Sequence, residues 1–185
     1  MKIIFMGSPD FTLPVLETLI GGHEIVGIYT QPPRPSGRKM ELHKTAVHEW
    51  GEKHDIPVFT PDTLKDASVQ EQMKKLNADA IVVYAYSQLI PEAVLNMTPF
   101  GCVNIHPSLL PRWRGAAPVI RSVEAGDKET GVTTFMLKHE IDTGNIIMQQ
   151  ALAIGEDEDV GSVHDRLMDL GVELTLKTVD LIAAC

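Results

Sequence analysis

Residues 2–29 read KIIFMGSPDFTLPVLETLIGGHEIVGIY, and this segment indicates the fold class of the chain. Lys2–Met6 is a short apolar run that predicts a buried strand, and Gly7–Asp10 contains the glycine and proline of a turn. Apolar residues then recur at helical spacing as far as a glycine pair. Glu24–Tyr29 is rich in the Val, Ile and Tyr residues that favour strands. Strand, helix and strand in this order are typical of a parallel sheet.

The same alternation continues along the rest of the chain, which predicts one α/β domain over residues 1–185. Its expected architecture is a Rossmann-like, doubly wound, mostly parallel sheet with helices on both faces. Further strands are predicted at Val58–Phe59, Ala80–Val83, Gly101–Ile105, Thr133–Leu137 and Ile146–Ile154. Further helices are predicted at Thr45–His54, Leu64–Leu76, Ala116–Gly126 and Val160–Leu181. Gln31–Leu42 contains three prolines and predicts a long loop of the kind that is usually functional.

The composition is that of an ordinary globular protein, with 44% hydrophobic and 22% charged residues. No apolar run reaches the roughly 18 residues that a membrane span needs. The cysteines Cys102 and Cys185 give neither a disulfide framework nor the spacing of a zinc site. We therefore expect a reduced, cytoplasmic protein with no membrane partner and no metal.

The formal net charge of −9 argues against nonspecific nucleic-acid binding by the domain as a whole. Basic residues nevertheless collect in two short places, Arg34–Lys44 and Arg112–Arg121. A local basic rim on an acidic body suits an anionic substrate that is contacted at one edge.

Three polar residues fall where a doubly wound sheet places its active site, outside the carboxyl ends of the strands. Asn104 and His106 end a predicted strand and, being two apart, can point to the same face. Asp142 lies in an Asp-Thr-Gly turn between two later strands. The Asn amide and a protonated imidazole can stabilise the oxyanion of a tetrahedral intermediate, and the Asp can hold or relay a proton. Each residue alone also fits a structural role, so the combination carries the hypothesis.

Residues 104–118 read NIHPSLLPRWRGAAP, and this string resembles the 10-formyltetrahydrofolate-dependent formyltransferases. Asn-x-His-x-Ser-Leu-Leu-Pro and the later Asp-Thr-Gly resemble the signature of the whole superfamily. The extension Arg-Trp-Arg-Gly-Ala-Ala-Pro resembles the branch that formylates initiator methionyl-tRNA. Further matches occur from the first strand onward, so the resemblance covers nearly the whole chain.

The resemblance implies that Asn104, His106 and Asp142 are the catalytic residues. The implied reaction is direct attack of a primary amine on the formyl carbon of 10-formyltetrahydrofolate, which leaves tetrahydrofolate. His106 and Asn104 would stabilise the oxyanion while Asp142 holds His106. Neither a metal nor a covalent enzyme intermediate is implied.

The resemblance also implies two sets of binding residues. The folate donor would be bound by Tyr86, Ser87, Gln88, Leu89, Ile90, Ser108, Leu109, Leu110, Pro111, His139 and Glu140. The acceptor would be bound by Gly7, Ser8, Pro9, Asp10, Phe11, Arg34, Arg38 and Arg114. The tRNA-formylating branch usually has glycine where this chain has Ser87 and a residue other than Gln88 beside it. The loop after Lys39 also departs from the lysine- and proline-rich pattern of that branch.

The length of the chain differs from that of the tRNA-formylating branch. The tRNA-formylating branch normally has a C-terminal β-barrel domain, which is absent from this chain, so we expect either a shortened chain or a one-domain relative. A monomer is expected.

The alternative functions are a formyltransferase acting on a small amine (a sugar nucleotide or glycinamide ribonucleotide) and a hydrolase that directs water at the formyl group. The basic loop and the arginines favour a large anionic acceptor over water.

Overall fold

The computed structural model describes residues 1–185 and divides into two compact units, Met1–Cys102 and Val103–Cys185. The strands of the first unit are β1 (Lys2–Gly7), β2 (Glu24–Tyr29), β3 (Arg34–Ser36), β4 (Glu41–His43), β5 (Val58–Phe59) and β6 (Ala80–Tyr84). Its helices are α1 (Leu13–Leu19), preceded by a 3₁₀ turn at Asp10–Thr12, then α2 (Ala46–Lys53), α3 (Ala67–Lys74) and α4 (Glu92–Leu95).

Four strands of the first unit form a parallel sheet in the order β5-β2-β1-β6. Strands β1 and β6 are nearly continuous apolar runs, as expected for parallel strands that are buried on both faces. Ile3, Ile4, Phe5 and Met6 of β1 are completely buried. The expected βαβ order of residues 2–29 is therefore confirmed.

The segment Gln31–Leu42 was predicted as a loop, and this prediction is wrong over part of its length. β3 and β4 form a short antiparallel hairpin in which Pro35 lies opposite Leu42. Gly37, at φ 76°, begins the turn and accepts a hydrogen bond from Met40. The prolines argued against strands in this segment. Each strand of a two-stranded hairpin is an edge strand, however, and an edge strand can contain a residue without an N–H.

The second unit is built on β7 (Cys102–His106), β8 (Glu129–Met136) and β9 (Ile146–Ala153), paired antiparallel in that order. Its helices are α5 (Pro118–Glu124) and α6 (Val160–Ala183). Asp159 caps α6 by accepting a hydrogen bond from the Ser162 N–H at 2.7 Å. Thr178 of α6 shares a buried hydrogen bond of 2.7 Å with Thr134 of β8.

The prediction of an α/β fold with a mostly parallel sheet is confirmed. Several element limits differ: β8 begins at Glu129 rather than Thr133, and α3 begins at Ala67 rather than Leu64. The short helix α4 was not predicted, because four residues are too few to display helical periodicity. None of the helices combines the length and the hydrophobicity that a membrane-spanning segment requires.

Candidate active site

The end of β7 presents Asn104 and His106 on one face of the strand, since successive strand residues alternate. The Asn104 side chain is half-buried, and no other protein group hydrogen-bonds to its amide. Its two N–H donors therefore remain open to a bound molecule. His106 is deeper, with 8% of its side chain exposed.

Asp142 lies in the connection between β8 and β9, where its backbone adopts a left-handed conformation at φ 52°. Gly144 follows two residues later and passes against the Met136 carbonyl, so closely that a side chain there would collide with it. The glycine thus lets the connection fold back onto the end of β8. This path brings the Asp142 carboxylate toward β7 and leaves 10% of that side chain exposed.

His106 and Asp142 face each other, with 3.7 Å between Nδ1 of the imidazole and Oδ2 of the carboxylate. The same Oδ2 accepts a hydrogen bond of 2.7 Å from the backbone N–H of Gly115. The other imidazole nitrogen, Nε2, lies 2.9 Å from the Trp113 carbonyl oxygen. Because a carbonyl can only accept, Nε2 carries a hydrogen. Residues 113–115 thus contact both members of the pair.

The loop that follows β7 is anchored by buried hydroxyl groups. Ser108 is completely buried, and its hydroxyl donates to the Arg112 carbonyl at 2.7 Å. The Thr133 hydroxyl donates to the Ser108 carbonyl at 2.7 Å and accepts from the Leu110 N–H at 3.2 Å. These bonds hold the Ser-Leu-Leu-Pro motif against β8.

Arg112, Trp113 and Asp127 form an ion-pair cluster beside this loop. The Arg112 guanidinium donates to both carboxylate oxygens of Asp127, at 2.9 and 2.7 Å, and the Trp113 indole N–H donates to it at 2.7 Å. The pKa of Asp127 is lowered to about 2, mainly by the hydrogen bonds from Arg112 and to a lesser extent by the hydrogen bond from Trp113. Sequence reasoning missed this cluster. The only local signal was the Gly126-Asp127 pair, which indicates a helix end.

The other residues of the second unit that were expected to bind the folate differ in their exposure to solvent. Leu110 is buried, whereas Pro111, His139 and Glu140 are exposed and Leu109 is half-buried. Arg114, expected to contact the acceptor, is exposed directly beside the loop residues that hold His106 and Asp142.

The residues of the first unit that were expected to bind the folate follow β6 in the chain. Tyr86 is buried, and burial raises the pKa of its phenol to about 12. Its carbonyl accepts a hydrogen bond of 2.7 Å from the Gln31 side chain, and Gln88 donates to the Pro61 carbonyl at 3.0 Å. Leu89 is 59% exposed, so its side chain is not part of the core.

The residues of the first unit that were expected to bind the formyl acceptor form two groups. One is the turn after β1, comprising Gly7, Ser8, Pro9, Asp10 and Phe11. The Ser8 hydroxyl accepts from the Gln31 N–H at 3.1 Å, and Phe11 packs edge-on against Tyr84 at 5.6 Å. The other group is on the β3–β4 hairpin, where Arg34 donates to Gln31 at 3.3 Å and Arg38 is exposed in the turn.

Comparison with known proteins shows the family of the chain. The family model described as formyl transferase matches residues 1–179. A methionyl-tRNA formyltransferase from Alkaliphilus oremlandii is 47% identical over 98% of this chain and 59% of its own length. One from Parvibaculum lavamentivorans is 47% identical over 97% of this chain and 58% of its own length.

The fold also has a counterpart among solved structures. A phosphoribosylglycinamide formyltransferase from Bacillus halodurans superposes with a TM-score of 0.84 and 24% identity, covering 98% of this chain and 95% of that one. The chain spans about 59% of the length of the first curated relatives that it matches. On the family match over residues 1–179, this chain belongs to the formyl transferase family.

Proposed function

We propose that this chain carries the active site that transfers the formyl group of 10-formyltetrahydrofolate to the α-amino group of initiator methionyl-tRNA. The observation that carries the proposal is the trio of Asn104 and His106 at the end of β7 with Asp142, 3.7 Å from His106, within a chain nearly half identical to curated methionyl-tRNA formyltransferases. The reaction needs an oxyanion stabiliser and a proton acceptor at one point, and this trio supplies both.

In the proposed reaction the amine lone pair attacks the formyl carbon, and the carbonyl electrons move to its oxygen. The Asn104 amide, which has no partner in the protein, donates to that oxyanion. Collapse of the tetrahedral intermediate breaks the bond between the formyl carbon and N10 of the folate. The amine loses one proton, and N10 gains one, so tetrahydrofolate leaves neutral at that nitrogen.

His106 is proposed to move these protons through Nδ1. Its Nε2–H is engaged by the Trp113 carbonyl at 2.9 Å, which leaves Nδ1 as the nitrogen that can exchange a proton. Once Nδ1 is protonated, the Asp142 carboxylate at 3.7 Å stabilises the imidazolium by opposite charge. The Gly115 N–H keeps that carboxylate in place.

The basic hairpin is proposed to contact the tRNA. Arg38 and Lys39 occupy its turn and are exposed, which leaves both cations able to reach phosphate oxygens. Phosphate contacts of this kind position a nucleic acid without reading its sequence. In the first unit, Tyr86–Ile90 would contact the folate.

The proposal is tested by offering the protein 10-formyltetrahydrofolate with one acceptor at a time. The acceptors are initiator methionyl-tRNA, glycinamide ribonucleotide and an amino-sugar nucleotide. We expect a formylated product only with methionyl-tRNA. Formylation of a small amine but not of the tRNA would overturn the acceptor while leaving the chemistry of the trio intact.

A further inference from the structure

We infer that Asp127 is a positioning residue that sets the tautomer and orientation of His106 through Trp113. The inference deepens the proposed function, since it rests on His106 being the group that moves protons. Asp127 itself does not contact the imidazole. Its effect passes through one side-chain hydrogen bond and one backbone carbonyl.

The first step is the attachment of Trp113 to Asp127. The Trp113 indole N–H donates to Asp127 Oδ2 at 2.7 Å, and the Arg112 guanidinium lies 4.4 Å from the centre of the indole ring. Arg112 also forms two hydrogen bonds to the same carboxylate. The indole is therefore held at its N–H by Asp127 and on its face by Arg112. Both contacts depend on the Asp127 carboxylate.

The second step is the backbone of Trp113, which lies in the left-handed region at φ 58°. A residue with a side chain adopts this conformation at an energetic cost, so surrounding contacts must hold it. The indole contacts are the side-chain interactions available to do so. This conformation directs the Trp113 carbonyl at Nε2 of His106.

The third step is a competition between two acceptors at the imidazole. The Trp113 carbonyl at 2.9 Å favours a hydrogen on Nε2, whereas the Asp142 carboxylate at 3.7 Å favours one on Nδ1. The shorter contact places the hydrogen of the neutral ring on Nε2 and leaves a lone pair on Nδ1. That tautomer can take the proton of the attacking amine. If the carbonyl moves away, Asp142 becomes the nearer acceptor and the Nδ1–H tautomer is favoured.

Space for such a movement exists beside the cluster. A cavity of about 280 Å³ is lined by Leu109, Arg112, Trp113, Asp127 and Thr130, among others. An indole released from Asp127 has this open space beside it to move into. The hydrogen bond to Asp127 is therefore needed to keep Trp113, and with it the carbonyl, in place.

The test measures the imidazole directly and the reaction separately. Protein labelled with ¹⁵N in its histidine rings is compared with the Asp127→Asn and Trp113→Phe variants, and the His106 signals are identified by their absence from His106→Ala. The Asn side chain cannot accept both Arg112 hydrogen bonds, and Phe lacks the indole N–H. Glu158→Gln is the matched control, because Glu158 likewise binds an arginine, Arg166, through both carboxylate oxygens.

In the wild type we expect a protonated Nε2 and an unprotonated Nδ1 in the neutral ring. Both test variants should shift the neutral ring toward the Nδ1–H tautomer. They should also lower kcat by about 10- to 100-fold, with KM for the folate and the tRNA within about threefold of the wild type. Glu158→Gln should change neither quantity.

A wild-type tautomer and a wild-type kcat in both Asp127→Asn and Trp113→Phe would overturn the inference. An equal loss in Glu158→Gln would overturn it as well, since the effect would then be one of general stability. If the wild type formylates no acceptor, the proposed function fails. The tautomer measurement still decides whether Asp127 controls His106, so the two failures are distinguishable.

Discussion

Nδ1 of His106 and Oδ2 of Asp142 lie 3.7 Å apart, and both side chains are about nine-tenths buried. This separation is longer than a hydrogen bond, so the attraction between the two groups depends on a charge on the imidazole. In the proposed reaction, Nδ1 exchanges a proton with the substrate and Asp142 stabilises the charge that results.

Replacing Asp142 with Asn should remove that stabilisation while preserving the shape of the site. The Asn oxygen can still accept the Gly115 N–H, so the loop should keep its path. We expect kcat for formyl transfer to fall by about 10²- to 10⁴-fold, the usual range for loss of acid–base assistance. Steady-state kinetics on folded protein measures this. Asp165→Asn is the control, because Asp165 lies 3.5 Å from His164 in an exposed pair. Equal rates in Asp142→Asn and the wild type would contradict the assignment.

Arg38→Ala should weaken the use of methionyl-tRNA far more than the use of the folate. Arg38 is exposed in the hairpin turn, so its removal should leave the fold intact while one phosphate contact is lost. We expect KM for the tRNA to rise by about 5- to 10-fold and its dependence on salt to weaken. Lys53→Ala, an exposed cation at the end of α2, provides the comparison. Parallel losses for both substrates would indicate a structural role for the turn.

Ser87→Gly should stabilise the protein. Ser87 is exposed and adopts φ 65°, a left-handed conformation that costs a non-glycine residue about 1–2 kcal/mol. Glycine removes this cost but loses more chain entropy on folding, so the net gain in the free energy of unfolding should be about 0.5–1 kcal/mol. Urea denaturation measures the gain, and Ser87→Ala, which keeps the strain, should show none. A Ser87→Gly variant no more stable than the wild type would contradict the strain argument.

Asp127 should make stability depend on pH in the acidic range. Its pKa is lowered from an ordinary 3.8 to about 2, chiefly by the hydrogen bonds from Arg112. A depressed pKa in the folded state means that the stabilisation is fully present above pH 4 and is lost as the pH falls through 2. Asp127→Asn should therefore lower the free energy of unfolding by about 1 kcal/mol at pH 7, a modest value because Arg112 faces solvent.

That difference should shrink as the pH approaches 2. Urea titrations of both proteins at pH 7, 5 and 3 test this, with the exposed neighbour Glu129→Gln as control. A difference between wild type and Asp127→Asn that stays constant across the series would show that the ion pair does not carry the effect.

The parts of the molecule that are local in sequence could be predicted. The strand at Glu24–Tyr29 has the predicted limits, because an apolar run between turn residues defines its own ends. Asn104 and His106 could be assigned to one face because strand alternation is itself a local rule. The prolines of Gln31–Leu42 gave the wrong result, since an exposed edge tolerates residues that a central strand would not.

Contacts between residues that are far apart in the sequence could not be predicted. Asp127 bonds to Arg112 and Trp113 only because the loop after β7 folds back onto the start of β8. The Trp113 carbonyl and the Gly115 N–H are backbone groups, whose roles leave no mark on residue type. Sequence motifs could therefore single out Asn104, His106 and Asp142 as candidates, but not the backbone and side-chain groups that contact them.

Following the formyl carbon distinguishes transfer to an amine from hydrolysis. Protein is mixed with 10-formyltetrahydrofolate labelled in the formyl group and with initiator methionyl-tRNA, and the label is divided between formyl-methionyl-tRNA and free formate. The trio at His106 predicts that nearly all released label reaches the tRNA and that release nearly stops when the acceptor is omitted. Label released as formate at the same rate with and without the tRNA would contradict the account, because the site would then be directing water, not an amine, at the formyl group.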